Sequence, residues 1–194
     1  MPRKVGSALA AIVLAAAAQM LASPQARAEE APAAAPPEKP SPSAPSPNAA
    51  GFSGKTQIVP GPALQVVFGD RATFHLDDKG EPVLDKVEKG QLAMAHPAGE
   101  VRESFTPPGA GELAIALDGS PQKKASYLKI WNGLDHPVLY RAGVLAYEGG
   151  ALKPVSVRVC AVPAGATNSE TWPAPIAAVA VASFTATTDD KACQ

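Results

Sequence analysis

Short apolar runs separated by turn residues fill the chain from residue 55 onward. Leu64–Phe68 ends at Gly69-Asp70, and Ala72–Leu76 ends at the turn sequence Asp77-Asp78-Lys79-Gly80. Further runs follow at 82–84, Leu113–Leu117, Val155–Val162 and Ile176–Phe184. Because no long amphipathic helical pattern interrupts these runs, they predict an all-β domain, an antiparallel β-sandwich of about seven to nine strands. Ala-rich Pro175–Ser183 also admits a helix, although its valines suit a buried strand.

The strongest local signal is the stretch Tyr127–Tyr147. Leu128 and Ile130 alternate with Lys129, as in a strand with one buried face. Residues 132–137 contain Asn, Gly, Asp and Pro, which favour a turn. In the next run, alternate positions share one face: Val138, Tyr140, Ala142, Val144 and Ala146. Two such runs joined by a short turn predict a β-hairpin.

This stretch resembles the strand–turn–strand units of immunoglobulin-like domains in exported bacterial proteins. The sequence YLKIWNG followed by PVLYRA carries the resemblance. It implies an immunoglobulin-like fold and brings no catalytic or ligand-binding motif, since one fold supports many functions. The antibody arrangement of two cysteines flanking a tryptophan is absent, because Cys160 and Cys193 both follow Trp131.

The N-terminal residues 1–28 have the pattern of a signal peptide. Arg3 and Lys4 precede the apolar run Ala8–Ala18, and Ala26-Arg27-Ala28 fits a small-x-small cleavage site. The apolar run is short for a membrane-spanning helix, so we expect no membrane span after cleavage; an uncleaved anchor is the alternative. The Ala-rich signal predicts a bacterial protein exported to the periplasm.

Two further segments follow the signal. Residues 29–51 are rich in Pro, Ala and Ser, with seven prolines before residue 51, and predict a disordered, extended spacer. Residues 52–194 then form the β-sandwich domain, which is long enough for one core.

The charge of the mature chain argues against nucleic acid as a partner. Cleavage would remove three of the 17 basic residues and none of the 18 acidic ones, giving a net charge of −4. Beyond Lys123-Lys124 no basic patch stands out, whereas nucleic-acid binders show a basic stripe.

The two cysteines, Cys160 and Cys193, predict one disulfide, because an exported chain meets an oxidising compartment. Val155, Val157 and Val159 share one face of their run, which places Cys160 on the opposite face. The bond is therefore expected to attach the polar C-terminal tail to a strand from outside the core.

A copper site is the alternative functional hypothesis. Met94 and His96 have a spacing that could supply two ligands for copper. The other histidines, His75 and His136, have no such neighbour in sequence and read as surface or turn residues.

Enzyme motifs are missing from the sequence: there is no G-x-S-x-G, S-x-x-K or H-E-x-x-H. We therefore expect a non-catalytic periplasmic β-sandwich without a cofactor, which binds an unknown ligand or envelope protein or supports an envelope assembly. Trp172 lies in the predicted loop Pro163–Pro175, where it is either an exposed binding anchor or, as its size favours, a plug over the core.

The cleavage site gives a direct prediction. N-terminal sequencing of the exported protein should begin at Glu29, because Ala28 ends the cleavage motif. A sequence beginning at Met1 or Pro2 would instead identify the segment as an anchor.

Overall fold

The computed structural model describes residues 52–194; the predicted signal peptide (1–28) and spacer (29–51) lie outside these residues. The described chain forms ten β-strands and one 3₁₀ turn at Ala93–Ala95. The strands are β1 (Gln57–Val59), β2 (Ala63–Val67), β3 (Asp70–Leu76), β4 (Pro82–Lys89), β5 (Leu113–Ser120), β6 (Ala125–Asn132), β7 (Val138–Glu148), β8 (Ala151–Val157), β9 (Thr167–Trp172) and β10 (Ile176–Ala186). Between Phe52 and Gln194 no helix is long and apolar enough to cross a membrane.

The strands form two five-stranded antiparallel sheets. The first sheet has the order β1-β2-β10-β7-β8, and the second has the order β4-β3-β5-β6-β9. The predicted all-β, two-sheet architecture is therefore confirmed, with ten strands instead of seven to nine.

The inner faces of the two sheets enclose the main core. Phe74 of β3 and Phe184 of β10 pack with their ring centroids 5.4 Å apart, and Tyr140 of β7 stacks on Phe184 at 5.9 Å. The alternation predicted for β7 is confirmed, because its five inward positions belong to this core. Around the aromatic rings lie aliphatic side chains from both sheets, among them Leu64, Val66, Leu113, Ile115, Leu117, Leu128, Ile130, Val179 and Val181.

Strand β10 keeps its apolar residues inside by two irregularities. The inward residues Ile176, Val179, Val181 and Phe184 do not follow a strict period of two. The pairing with β7 shifts between Ile176 and Ala178 and again between Ala182 and Thr185. Each extra residue reverses which face the next side chain occupies, so the bulges return Phe184 to the core. The predicted strand is confirmed here, and the helical alternative is wrong.

The predicted hairpin is wrong, because β6 and β7 belong to different sheets. The reason is Asn132, which is almost completely buried at the end of β6. Its Nδ2 donates to the carbonyl oxygens of His136, Val162 and Pro163, and its Oδ1 accepts from the amide of Leu134. These bonds direct the chain across to the other sheet, where β7 pairs with β8 and β10.

Some strand boundaries also differ from the prediction. β8 begins at Ala151 and ends at Val157, whereas the apolar run suggested Val155–Val162. β4 extends from Pro82 to Lys89, well beyond the apolar run at 82–84. β9 lies within the predicted loop Pro163–Pro175, because its polar sequence shows no apolar alternation.

Cys160 and Cys193 form the predicted disulfide. The flanking residues Val159 and Ala161 are buried, while Cys160 itself is half-buried, which agrees with its expected place outside the core. Backbone hydrogen bonds also hold the tail, since the amides of Val159 and Gln194 donate to each other's carbonyl oxygens. The tail is therefore ordered by pairing as well as by the disulfide.

Replacing both cysteines by serine should lower the free energy of unfolding by roughly 3–4 kcal/mol, because the bond closes a loop across 33 positions in the unfolded chain. Urea unfolding measures the loss, and the β-type circular dichroism of the native state should be unchanged. The native wild-type protein should take up no thiol reagent; labelling of two free thiols would contradict the disulfide.

Candidate functional site

A long connection covers the outer face of the second sheet. We call residues 90–112, between β4 and β5, the strap. Its Leu92 and Ala95 are completely buried in a second apolar cluster with Trp131 of β6 and with Ala114 and Ala116 of β5. The strap thus gives the second sheet a small core on its outer side.

Arg71 of β3 lies beneath the strap with its side chain 4% exposed. Its guanidinium carbon lies 5.6 Å from the ring centroid of Phe105 and 5.3 Å from that of Trp131. Nη1 donates to the Glu88 carboxylate at 2.6 Å, and Nη2 donates to the carbonyl oxygen of Thr106 at 2.6 Å. A planar guanidinium can stack and donate in its plane at once, which suits it to this position.

Further charge pairs fasten the strap. Lys129 donates to Glu103 at 2.5 Å, and its ammonium lies 4.9 Å from the centroid of the Trp131 ring. Lys129 lies on the outer face of β6, as its alternation with Leu128 and Ile130 predicts, but the strap covers it and its side chain is only 19% exposed. Hydrogen bonds from Lys86 and then Arg71 hold the pKa of Glu88 below its usual value. The charges beneath the strap are paired within the protein.

Met94 and His96, the copper ligands of the alternative hypothesis, both lie in the strap. The Met94 side chain packs against the second apolar cluster. His96 Nε2 lies 3.0 Å from Oδ2 of buried Asp118, which also accepts the Leu92 amide at 2.7 Å. In this arrangement the two side chains support the strap. Across the described residues no three His, Cys, Asp or Glu side chains are grouped to hold a metal ion.

The other two histidines are exposed and lie elsewhere. His75 Nδ1 is 2.9 Å from the Asp85 carboxylate on the neighbouring strand. His136 Nδ1 is 2.8 Å from Asp135 in the turn after β6, and this hydrogen bond lowers the pKa of Asp135. The structure does not bring the three histidines together.

Trp172 is the last residue of β9 and is half-buried against the main core. The prediction that it lies in a loop is wrong, and its contacts favour the interpretation as a plug over the core. Along the same strand Asn168 and Glu170 alternate with exposed residues, so they share the face of Trp172.

Tyr140 of β7 and Glu170 of β9 have altered pKa values. Burial raises the pKa of the Tyr140 hydroxyl, and the charge of Glu170 acts in the same direction. Burial also raises the pKa of Glu170, against the opposing hydrogen bond from the Cys160 amide. The Tyr140 hydroxyl has no hydrogen-bond partner among the described residues. It contributes to the core through its ring.

An open apolar groove lies at the end of the sandwich where β5 turns into β6. Its volume is about 480 Å³, within the range of protein ligand sites. Phe68, in the turn after β2, stands at the groove with 47% of its surface exposed. The remaining lining comes from the β5–β6 turn and the β9–β10 connection and includes Pro121, Lys124, Pro173, Pro175 and Ile176. We call this feature the Phe68 groove.

The position of the Phe68 ring depends on Gly119. A Cβ atom at Gly119 would lie 2.6 Å from the carbonyl oxygen of Ala125 and 3.2 Å from Cε2 of Phe68. The turn that follows places Lys124 at a positive φ of 50°, with its amide bonded to the carbonyl oxygen of Ser120. Lys124 is the cation among the described residues that line the groove, and none of these residues is acidic.

Ser126 joins the two sheets at the base of the groove. Its Oγ donates to the carbonyl oxygen of Ala174 at 2.9 Å and accepts the amide of Ile176 at 3.0 Å. One buried hydroxyl of β6 therefore fixes the connection that carries Pro173 and Pro175.

A second cavity of about 430 Å³ lies at the opposite end of β6, beside Lys129, Glu103 and Trp131. Lys129 and Glu103 are already paired with each other, and Trp131 carries cations on its ring. The Phe68 groove, by contrast, exposes an aromatic ring on which no cation of the described residues is stacked. The Phe68 groove is therefore the better candidate for binding.

No protein-family model matches this sequence, and neither a curated protein nor a solved structure matches it either.

Ser126→Ala should lower the free energy of unfolding by about 1–3 kcal/mol, because the buried amide of Ile176 and the carbonyl of Ala174 lose their partner. Ser169→Ala, on the exposed face of β9, is the matched control and should change stability by less than about 0.5 kcal/mol. Urea unfolding measures both; equal losses would contradict the role assigned to Ser126.

Proposed function

We propose that this domain is an immunoglobulin-like, non-catalytic binding module of the bacterial periplasm, and that the Phe68 groove binds an extended apolar segment of an envelope protein. The observation that carries the proposal is the exposed Phe68 ring beside an apolar groove. Large exposed aromatic rings at a concave surface are typical of binding anchors.

The shape of the groove favours a chain segment over an enclosed small molecule. Phe68 leaves nearly half of its surface open, so the groove covers one side of its ligand. Pro121, Pro173 and Pro175 form rigid apolar walls, since proline loses little conformational entropy on binding. A segment with small apolar residues fits between these walls.

The charge of the groove adds a preference. Lys124 attracts a carboxylate at the rim, where a surface ion pair contributes to orientation and association rate more than to affinity. The ligand is therefore an apolar segment flanked by acidic residues.

Export to the periplasm rests on the signal pattern of residues 1–28 and agrees with the Cys160–Cys193 disulfide, which persists in oxidising compartments. The immunoglobulin-like assignment rests on the sequence of β6 and the first half of β7, together with the two antiparallel sheets. A catalytic role has no support in the side chains beneath the strap, because they are paired with one another.

Photocrosslinking from the groove tests this function. A benzoylphenylalanine at position 68 should crosslink in the intact envelope to one protein, within an extended apolar segment. A synthetic peptide of that segment should then shift the amide signals of Gly119 and Ser126 in the purified protein, and Phe68→Asp should abolish the shifts.

Val87 provides the control, because it is 41% exposed on the edge strand β4, away from the groove lining. The same photoprobe at position 87 should give no such product. Identical products from both positions, or none from position 68, would contradict the proposal.

A further inference from the structure

We propose that the end of the sandwich at which the Phe68 groove opens docks on the surface of a bilayer that contains anionic phospholipid. This inference goes beyond the proposed function, because the second ligand is a lipid surface and not a protein segment. Three observations support it: the separation of charge between the two ends of the sandwich, an exposed tyrosine and a cationic turn.

The strand pairing defines the two ends. The ends of β2 and β7 lie beside the start of β10, and the amide of Gly69 donates to the carbonyl oxygen of Leu117 near the end of β5. We call this the groove end; it holds the β2–β3, β5–β6 and β7–β8 turns and the β9–β10 connection. The β3–β4 and β6–β7 turns lie at the opposite end, where the amide of Thr187 donates to the carbonyl oxygen of Pro137.

The opposite end is predominantly acidic. Its acidic residues lie in the turns, at the end of the strap and in the C-terminal tail, and they outnumber the basic residues Lys79, Arg158 and Lys191. The acidic residues are Asp77, Asp78, Glu81, Glu112, Asp135, Asp189 and Asp190.

The groove end is predominantly basic. Its lysines, all exposed, are Lys55, Lys89, Lys123, Lys124 and Lys153. The acidic residues there are Glu148 and the buried Asp70 and Asp118. Lys89 pairs with Asp70, and Lys153 lies 3.6 Å from Glu148, so the excess positive charge comes from the other three lysines. Charge separated in this way orients a protein on an anionic surface.

Tyr147 supplies an aromatic ring at the groove end. It is 54% exposed, and its amide donates to the carbonyl oxygen of Pro175 at 3.0 Å. This bond holds the end of β7 beside the β9–β10 connection. A tyrosine ring is apolar with a polar tip, and such rings are enriched where the hydrocarbon of a bilayer meets its headgroups.

The β5–β6 turn supplies two of the cations. Lys123 Nζ donates to the carbonyl oxygen of Met94 at 2.7 Å, which places its charge beside the strap, and Lys124 follows it in the same turn. Lysines near a bilayer attract anionic headgroups, and the attraction falls off within a Debye length. Lys55, Lys123 and Tyr147 lie outside the lining of the groove, so docking through them leaves the Phe68 groove for a protein segment.

Sedimentation with lipid vesicles tests the docking. The purified exported chain should bind vesicles of phosphatidylcholine and phosphatidylglycerol in equal parts, and high salt should release it. Vesicles of phosphatidylcholine alone should not bind it. Lys55→Gln combined with Lys123→Gln should weaken binding to the anionic vesicles about tenfold or more.

The opposite end provides the matched control. Lys79→Gln combined with Lys191→Gln changes the net charge by the same amount and should leave binding within about twofold of the wild type. Lys55→Gln combined with Tyr147→Ser is a second variant that leaves the bond from Lys123 to the strap in place, and it should also weaken binding. Equal losses in the control and in the groove-end variants would overturn the inference.

Orientation on the vesicle is measured without any variant. A gadolinium chelate on a lipid headgroup should broaden the amide signals of Gly119 and Gly149 at the groove end. The signals of Gly80 and Gly133 at the opposite end should stay sharp. Equal broadening at both ends would show unoriented adsorption and would overturn the inference.

The outcomes separate this inference from the proposed function. Failure to bind anionic vesicles, together with a protein crosslinked at position 68, overturns the membrane docking and leaves the proposed function standing. Oriented vesicle binding without a crosslinked protein has the reverse meaning. Because Lys55 and Lys123 lie outside the groove lining, the variant that lacks both should still bind the groove peptide like the wild type.

Discussion

The crossing of the chain between its two sheets at Asn132 is the constraint on which the fold depends. Its side-chain amide donates to the carbonyl oxygens of Val162 and Pro163, which ties the end of β6 to the segment that follows β8. Those two oxygens also accept the backbone amides of Val138 and Ala166, so Asn132 joins the start of β7 and the segment before β9 at one buried point. Tyr140 and its neighbours then face the second sheet across the core.

The fold also determines which surfaces around the second sheet are covered and which stay exposed. The outer face of the second sheet is closed by the strap, whose charges are paired and whose Trp131 is enclosed by cations. At the other end of β6, Ser126 fixes the β9–β10 connection to β6 and leaves Phe68 exposed beside it. The charged residues beneath the strap are therefore paired with one another, and the surface that we propose for binding is apolar.

The sequence predicts features that depend on local pattern. Alternation in β7 and the valines of β10 identify buried strands correctly, and the even count of two cysteines predicts the disulfide. β9 was missed because its polar sequence belongs to a half-buried edge. The hairpin was wrong because the bonds of Asn132 join residues thirty positions apart, and the Phe68 groove was missed because three separate turns form it.

Hydroxyl-radical footprinting in the intact envelope tests the central claim, that the Phe68 groove is covered in the working protein. Phe68 is 47% exposed and Val87 is 41% exposed. When each labelling rate is divided by the intrinsic reactivity of the residue, an uncovered groove therefore gives the two residues similar protection factors. The account predicts strong protection of Phe68 with Val87 fully reactive, because the ligand proposed for the groove covers Phe68 and leaves Val87 open. Equal reactivity of the two residues would contradict it.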